Sequence, residues 1–270
     1  MQFARYLLSI ALIAFLPNAG AACGIETDCN VAGGTYRIDT PGGGPTGAIL
    51  FAHGYRGTAA GTMRNGRFRS MATDMGLAFV ALDAGPGDDW QLPNAPGDNA
   101  ADGQANFAYV AAVVDDLASK YGLGRDQIMI TGFSAGGMLV WNLACARPDL
   151  AGGFAPVSGT FWLTPPDTCA NPAASIIHMH GDRDTTVPLG GRQIANTKQG
   201  DVAEALGFYQ AFGGFTDTYT RPGPGLSCDG RTNPAGDILE FCQFEGGHSF
   251  SRNYVQDAWN RFVQAGQISQ

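Results

Sequence analysis

The sequence predicts an α/β fold: a mostly parallel central sheet with helices on both faces. Three observations carry that expectation. Short apolar runs that do not alternate with polar residues, Ala48–Ala52, Leu77–Leu82, Gln127–Thr131, Gly153–Val157, Ser175–Met179 and Ile238–Phe244, read as strands buried on both sides. Helical patterns lie among them. Phe107, Val110, Ala111, Val114 and Leu117 recur at three- and four-residue steps, as do Tyr254, Val255, Ala258, Trp259, Phe262 and Val263. A chain of 270 residues, 44% hydrophobic and 15% charged, also has enough apolar material for one large core and too much for disorder.

The remaining composition narrows the function. The 39 glycines are scattered rather than periodic, and Pro41–Pro45 and Arg221–Gly225 read as loops inside the domain. A net charge of -8 with no basic stripe repels phosphate backbones, so nucleic acid is excluded as a partner. At the N-terminus, Arg5, the apolar run Tyr6–Leu16 and the small residues Ala19–Ala22 have the order of a cleaved secretory signal. That run is too short to cross a bilayer, which takes about 20 residues, so no membrane partner is expected. Residues 1–22 are thus expected to be removed. Residues 23–270 would form a single catalytic domain, exported to the periplasm or the medium.

Export sets the reading of the six cysteines. In an oxidising compartment an even count favours disulfides, and the neighbours in sequence are Cys23 with Cys29, Cys145 with Cys169, and Cys228 with Cys242. Their number alone leaves the connectivity open. No C-x2-C pair occurs and no cysteine lies at ligand spacing from a histidine, so no metal or other cofactor is expected.

Chemistry enters at TGFSAGG, Thr131–Gly137. The strand QIMIT precedes Ser134 and the helical segment AGGMLVWNLACA follows it, the strand–turn–helix setting of a G-x-S-x-G nucleophile elbow. A serine at its ordinary pKa is a weak nucleophile and needs a base. HGDRDTTVP follows the strand SIIHM and offers Asp184, with Asp182 as a local rival. EGGHSF then places His248 in a glycine-flexed loop, the one histidine of four that follows the acid. The chain order Ser134, Asp184, His248 suits a hydrolytic triad on this type of sheet. The backbone N–H groups of Ala135 and of Tyr55, in the loop HGYRG, are the candidate oxyanion donors, with Arg56 as the alternative to Tyr55. His53 and His180 end strands in H-G pairs and read as supports of their turns. His178 and His180 form an H-x-H with no evident third ligand. Trp90, Phe161 and Trp162 lie in loops after strands and could line a pocket or pack in the core.

Together these stretches resemble the secreted α/β-hydrolase esterases that include polyhydroxybutyrate depolymerases and feruloyl or acetylxylan esterases. HGYRG, ITGFSAGGMLVWNLAC, FAPVSGT, HMHGDRDTTVP and GGHSF carry the resemblance, running in family order from Ala48 to the last helix. It implies the triad Ser134, Asp184 and His248, an oxyanion hole at Tyr55 and Ala135, a bulky Phe133 before the serine, an aromatic Phe250 after GGHS, and a bridge near Cys145 and Cys169. It also implies an ester substrate, polymeric or bulky. Many extracellular depolymerases of this kind add a linker and a polymer-binding domain; neither is expected within these 270 residues, so strong adsorption to insoluble polymer is not expected.

Only short segments separate Ser134 from the strand before Asp184, the longest being Gly159–Ala174. No large lid fits there, and an open site is expected. A Cys228–Cys242 bridge would hold the base loop in register, so reduction should lower activity along with stability. A peptidase of this fold would carry a gating domain that 270 residues cannot hold. A non-catalytic binding protein would be expected to show a broken triad. Oligomeric state is not readable from the sequence.

Overall fold

The computed structural model describes residues 23–85, 89–96 and 101–270. The expected signal segment 1–22 lies outside the described residues. Strands β1 (Cys29–Val31), β2 (Gly34–Asp39) and β3 (Ala48–Ala52) lead into helices α1 (Ala59–Met63) and α2 (Gly66–Asp74). Then come β4 (Ala78–Leu82), α3 (Gln104–Tyr121), β5 (Ile128–Phe133), α4 (Ala135–Ala146), β6 (Gly153–Val157) and β7 (Ile176–Gly181). A small hairpin, β8 (Arg192–Ile194) and β9 (Thr197–Gln199), precedes α5 (Val202–Gly213). The chain closes with β10 (Asp217–Gly223), β11 (Leu226–Thr232), β12 (Ile238–Phe244) and α6 (Arg252–Gln264).

Ten strands form one sheet in the order β1-β2-β4-β3-β5-β6-β7-β12-β11-β10. Its centre, β4-β3-β5-β6-β7-β12, is parallel throughout. The six apolar runs of the sequence are these six strands. β3, β4, β6 and β7 are buried at every position because helices cover both faces. Successive residues alternate between the two cores: Ala48, Leu50 and Ala52 face α3, α4 and α5, whereas Ile49 and Phe51 face α1, α2 and α6. Helix α4 lies inside this packing and buries every residue from Gly136 to Cys145.

Antiparallel wings extend the parallel centre on both sides. β1 and β2 pair on one, β11 and β10 on the other. The second wing corrects the sequence reading: Arg221, Pro222 and Gly223 belong to edge strand β10 rather than to a loop. Pro222 is tolerated there because an outermost strand need not donate every N–H. All three disulfides form with the neighbour pairing, Cys23–Cys29, Cys145–Cys169 and Cys228–Cys242, and the last joins directly facing residues of β11 and β12.

A buried ion cluster fastens α6 to the second wing. The fully buried Glu240 of β12 accepts bonds from Arg221 Nε at 2.8 Å, Arg261 Nε at 2.5 Å and Tyr219 Oη at 2.8 Å. Arg221 also reaches Asp257 of α6 at 2.9 Å.

Candidate active site

The turn from β5 into α4 puts Ser134 at φ 58° and ψ -119°. A residue with a side chain adopts positive φ at a cost, so surrounding contacts must hold it. They do: Ser134 N–H donates to Val157 O at 2.9 Å, and Ser134 O accepts from Met138 N–H at 2.9 Å. The turn also needs its glycine neighbour. A Cβ on Gly136 would fall 2.0 Å from Ala52 O, inside β3. The serine therefore sits at the C-terminal edge of the sheet, next to the loop that follows β3.

That loop supplies the second donor candidate. A Cβ built on Gly54 would lie 3.4 Å from both Phe133 O and Ser134 Cβ, so the H-G pair packs directly against the elbow. Gly57 N–H closes the turn onto Gly54 O at 2.9 Å. Tyr55 N–H is not engaged in any hydrogen bond among the described residues, and Ala135 N–H, at the first position of α4, has no intrahelical acceptor. Arg56, the other candidate, has φ 59° in the same turn.

Asp184 and Asp182 take different parts. Asp184 Oδ2 accepts from His248 Nδ1 at 2.7 Å, while Oδ1 accepts the N–H groups of Thr186 and Val187, each at 2.8 Å. Its side chain is fully buried. Asp182 Oδ1 instead accepts Gly246 N–H at 2.8 Å, and Arg183 N–H donates to Gly246 O at 2.8 Å, so these residues hold the loop that carries His248. The His248 ring lies against Phe133, centroid to centroid 4.6 Å, which brings it beside the serine's own neighbour. A hydrogen bond between Ser134 Oγ and His248 is not formed in this geometry. Such contacts commonly tighten only when substrate is bound.

The other histidines are structural in their contacts. His53 Nδ1 bonds Gly54 O at 2.8 Å, its Nε2 accepts Ala84 N–H at 3.2 Å, and its ring packs on Trp90. His178 and His180 are fully buried on β7. Burial holds both imidazoles below their ordinary pKa and hence neutral, the repulsion between the two adding to the effect for His178.

A cavity of about 360 Å³ opens at Ser134, with Tyr55, Ala135, Met138, Trp162, Thr186 and Arg192 among its walls. Of the three loop aromatics, Trp162 lines it. Trp90 does not: it is buried behind His53 and donates its indole N–H to His53 O, while its neighbour Asp89 faces the cavity. Burial raises the Asp89 pKa. Phe161 is likewise buried, packed on Trp141. Phe133 and Phe250 line a second groove of about 290 Å³ on the other side of the elbow, with Phe51, His53 and Phe68. One wall escaped the sequence reading. The β8–β9 hairpin puts Arg192, Ile194 and Gln199 on the cavity, and Gln199 pairs with Trp162. Strands of three residues leave no periodic signal. A larger cavity of about 430 Å³, between α5 and β11–β12, contains no serine, cysteine or histidine.

This architecture, a mostly parallel sheet with the elbow serine on its fifth strand and an acid and a histidine after later strands, is the α/β-hydrolase fold. Solved structures agree with it. An acetyl xylan esterase from Aspergillus awamori superposes with a TM-score of 0.62 at 16% identity, covering 86% of this chain and 94% of that one. The feruloyl esterase module from Clostridium thermocellum, solved with sinapinate, gives 0.56 at 15% identity over 90% of this chain and 88% of that one. At such identities the likeness establishes the fold. A family model described as Phospholipase/Carboxylesterase matches residues 88–205. The Nocardia uniformis subsp. tsuyamanensis protein named "Putative esterase NocK" is 30% identical over 172 residues, 61% of this chain. The match spans 50% of that protein, so this chain corresponds to about half the length of its curated relative.

Proposed function

We propose that this chain is a secreted serine carboxylic ester hydrolase working through an acyl-enzyme. The observation that carries the reading is the 2.7 Å bond from His248 to the buried Asp184, with the imidazole packed 4.6 Å from the ring of Phe133, the residue before the strained Ser134. As Ser134 Oγ bonds to the ester carbonyl carbon, its proton passes to His248 Nε2 and the carbonyl π pair moves onto oxygen. Tyr55 and Ala135 N–H groups receive that oxyanion. Collapse expels the alcohol, which takes the proton from His248, and water repeats the sequence to free the acid. Asp184 keeps the Nδ1 proton in place and stabilises the imidazolium. The family match and the named esterase relative support the ester class.

The preferred substrate is a bulky or polymeric ester such as polyhydroxybutyrate. Between β6 and β7 no helix roofs the serine. Of the two exposed large hydrophobic side chains among the described residues, Tyr55 lines the cavity, and Leu163 follows the lining residue Trp162 in sequence. A second reading, an acetylxylan or feruloyl esterase, is supported by the two structural neighbours. Export is supported by the three disulfides, which persist in oxidising compartments.

The test is turnover of 4-nitrophenyl butyrate by the oxidised chain beside Ser134→Ala. The variant is expected to lose roughly 10⁴-fold or more in kcat, as when a triad nucleophile is removed. Equal rates would refute the mechanism, and a panel of polyhydroxybutyrate, acetylated xylan and feruloylated xylan then ranks the substrates.

A further inference from the structure

Behind Asp184 runs a chain of buried polar side chains that the acyl-transfer steps do not use. Trp141 Nε1 of α4 lies 3.1 Å from His178 Nδ1, and His178 Nε2 lies 3.0 Å from His180 Nδ1. His180 Nε2 lies 2.8 Å from Val187 O and 3.4 Å from Asp184 Oδ2. The remaining faces of these rings are closed: Phe241 of β12 stacks on His178 at 5.7 Å, and the charged or titratable groups in contact with the pair are Asp184 and, beyond it, His248.

The direction of the chain follows from one end. An indole N–H can only donate, so His178 Nδ1 must accept. A neutral imidazole that accepts on Nδ1 carries its proton on Nε2, and that proton is given to His180 Nδ1. The same logic puts the His180 proton on Nε2, where it is given to Val187 O. Val187 N–H in turn donates to Asp184 Oδ1 at 2.8 Å. Each tautomer is dictated by the previous bond, and the last bond grips Val187, the residue whose N–H holds the acid.

We propose that Trp141, His178 and His180 form a one-way hydrogen-bond relay that positions Asp184, so that His178 and His180 are positioning residues for the esterase chemistry inferred above, on which this proposal rests. No proton travels along the relay. Its work is to fix the Val187 turn and to keep a neutral ring, not a second charge, 3.4 Å from the carboxylate that must receive His248. Two histidines in place of apolar residues on a central strand are otherwise hard to account for, since burying polar rings costs free energy unless every bond is made.

The test separates geometry from activity. In the oxidised chain labelled with ¹⁵N-histidine, NMR should show His178 and His180 neutral at pH 7 with both protons on Nε2. Trp141→Phe should release His178 from that tautomer. A proton on Nδ1 of either ring in the wild type, or a positive charge, would overturn the proposal, whether or not the chain hydrolyses esters. For function, His178→Phe should lower kcat by between about ten- and a hundredfold with KM little changed, the scale expected for a slightly misplaced catalytic group. His178→Gln can still accept from Trp141 and donate to His180, and should recover most of that loss. A folded His178→Phe with wild-type kcat, or no difference between Phe and Gln, would refute the positioning role. If the wild type turns over no ester at all, the function reading fails while the NMR result still decides the relay.

Discussion

Asp184 and Glu240 are both fully buried carboxylates, and the fold treats them in opposite ways. Asp184, at the end of the parallel centre, is met by two backbone N–H groups, His248 and the neutral His180. Glu240, beside the antiparallel wing, is met by two guanidinium groups and a phenol. Under the proposed mechanism, the difference separates two uses of a buried charge. An arginine is cationic before, during and after any reaction, so its pairing with Glu240 can only hold structure together. An imidazole that becomes cationic as the reaction proceeds gains from Asp184 chiefly in the transition state, which is where binding accelerates chemistry. A permanent cation on Asp184 would already have spent that attraction.

Exchanging the two acids for amides tests the contrast most sharply. Asp184→Asn should cut kcat by roughly 10⁴-fold by stabilising the wrong His248 tautomer, with the melting transition little moved. Glu240→Gln should do the reverse: up to about 3 kcal/mol of stability lost, from the partly buried Arg261 without its anion and Arg221 left with Asp257 alone, and near-normal kcat in the folded fraction. Denaturant unfolding beside steady-state rates for both variants reads this directly, and a large kcat loss in Glu240→Gln would break the comparison.

Next in size is the bridge between the two regions. Cys228 and Cys242 close a loop of sequence separation 14 in the strand that leads to His248. Removing it as the double serine variant should cost about 3 kcal/mol in the chain-entropy model. Activity should fall with stability if the wing holds the base loop in register. Unchanged kcat in a folded double variant would separate the wing from the chemistry altogether.

The most gradual effect is a pH dependence on the Asp184 side. His178 and His180 titrate below their unfolded value of about 6.5. Below that pH the unfolded chain binds protons that the folded one refuses, so stability is full above it and falls as pH drops. The slope should approach about 1.4 kcal/mol per pH unit for each histidine. Urea unfolding between pH 7.5 and 5 should show it, and His178→Phe should flatten it. The arginines around Glu240 keep their charge throughout this range.

Legibility in the sequence followed the same division. The six parallel strands are continuous apolar runs and were all readable, as were α3, α4 and α6. The wings were not. β11, LSCDGRT, and β10, DTYTRPG, are polar, half exposed and interrupted by Gly and Pro, because only one face of each needs apolar residues. α1 and α2 are short, and α5 has a glycine at Gly207 in its middle. At the site, the order along the chain proposed Ser134, Asp184 and His248, and the place of Asp184 in its turn proposed it over Asp182; the bond between His248 and Asp184 fits that proposal. Trp90 and Phe161 could not be distinguished from pocket residues, since an aromatic after a strand has the same local sequence whether it faces solvent or the core. The relay was invisible for a related reason: H-x-H shows two rings on one face of a strand, and the tryptophan that orders them comes 37 residues earlier.

The wings have one more consequence, for how the molecule behaves in a crowd. A sheet that ends in a long, flat, unpaired strand invites another chain to add to it. Here one outermost strand is β1, three residues long and tied down by Cys23–Cys29. The other is β10, where Pro222 lacks an N–H to offer and Asp217 and Arg221 carry charge. Neither border presents a continuous row of free donors and acceptors. Both borders thus oppose the edge-to-edge strand addition that the apolar centre, if laid open at the rim, would invite.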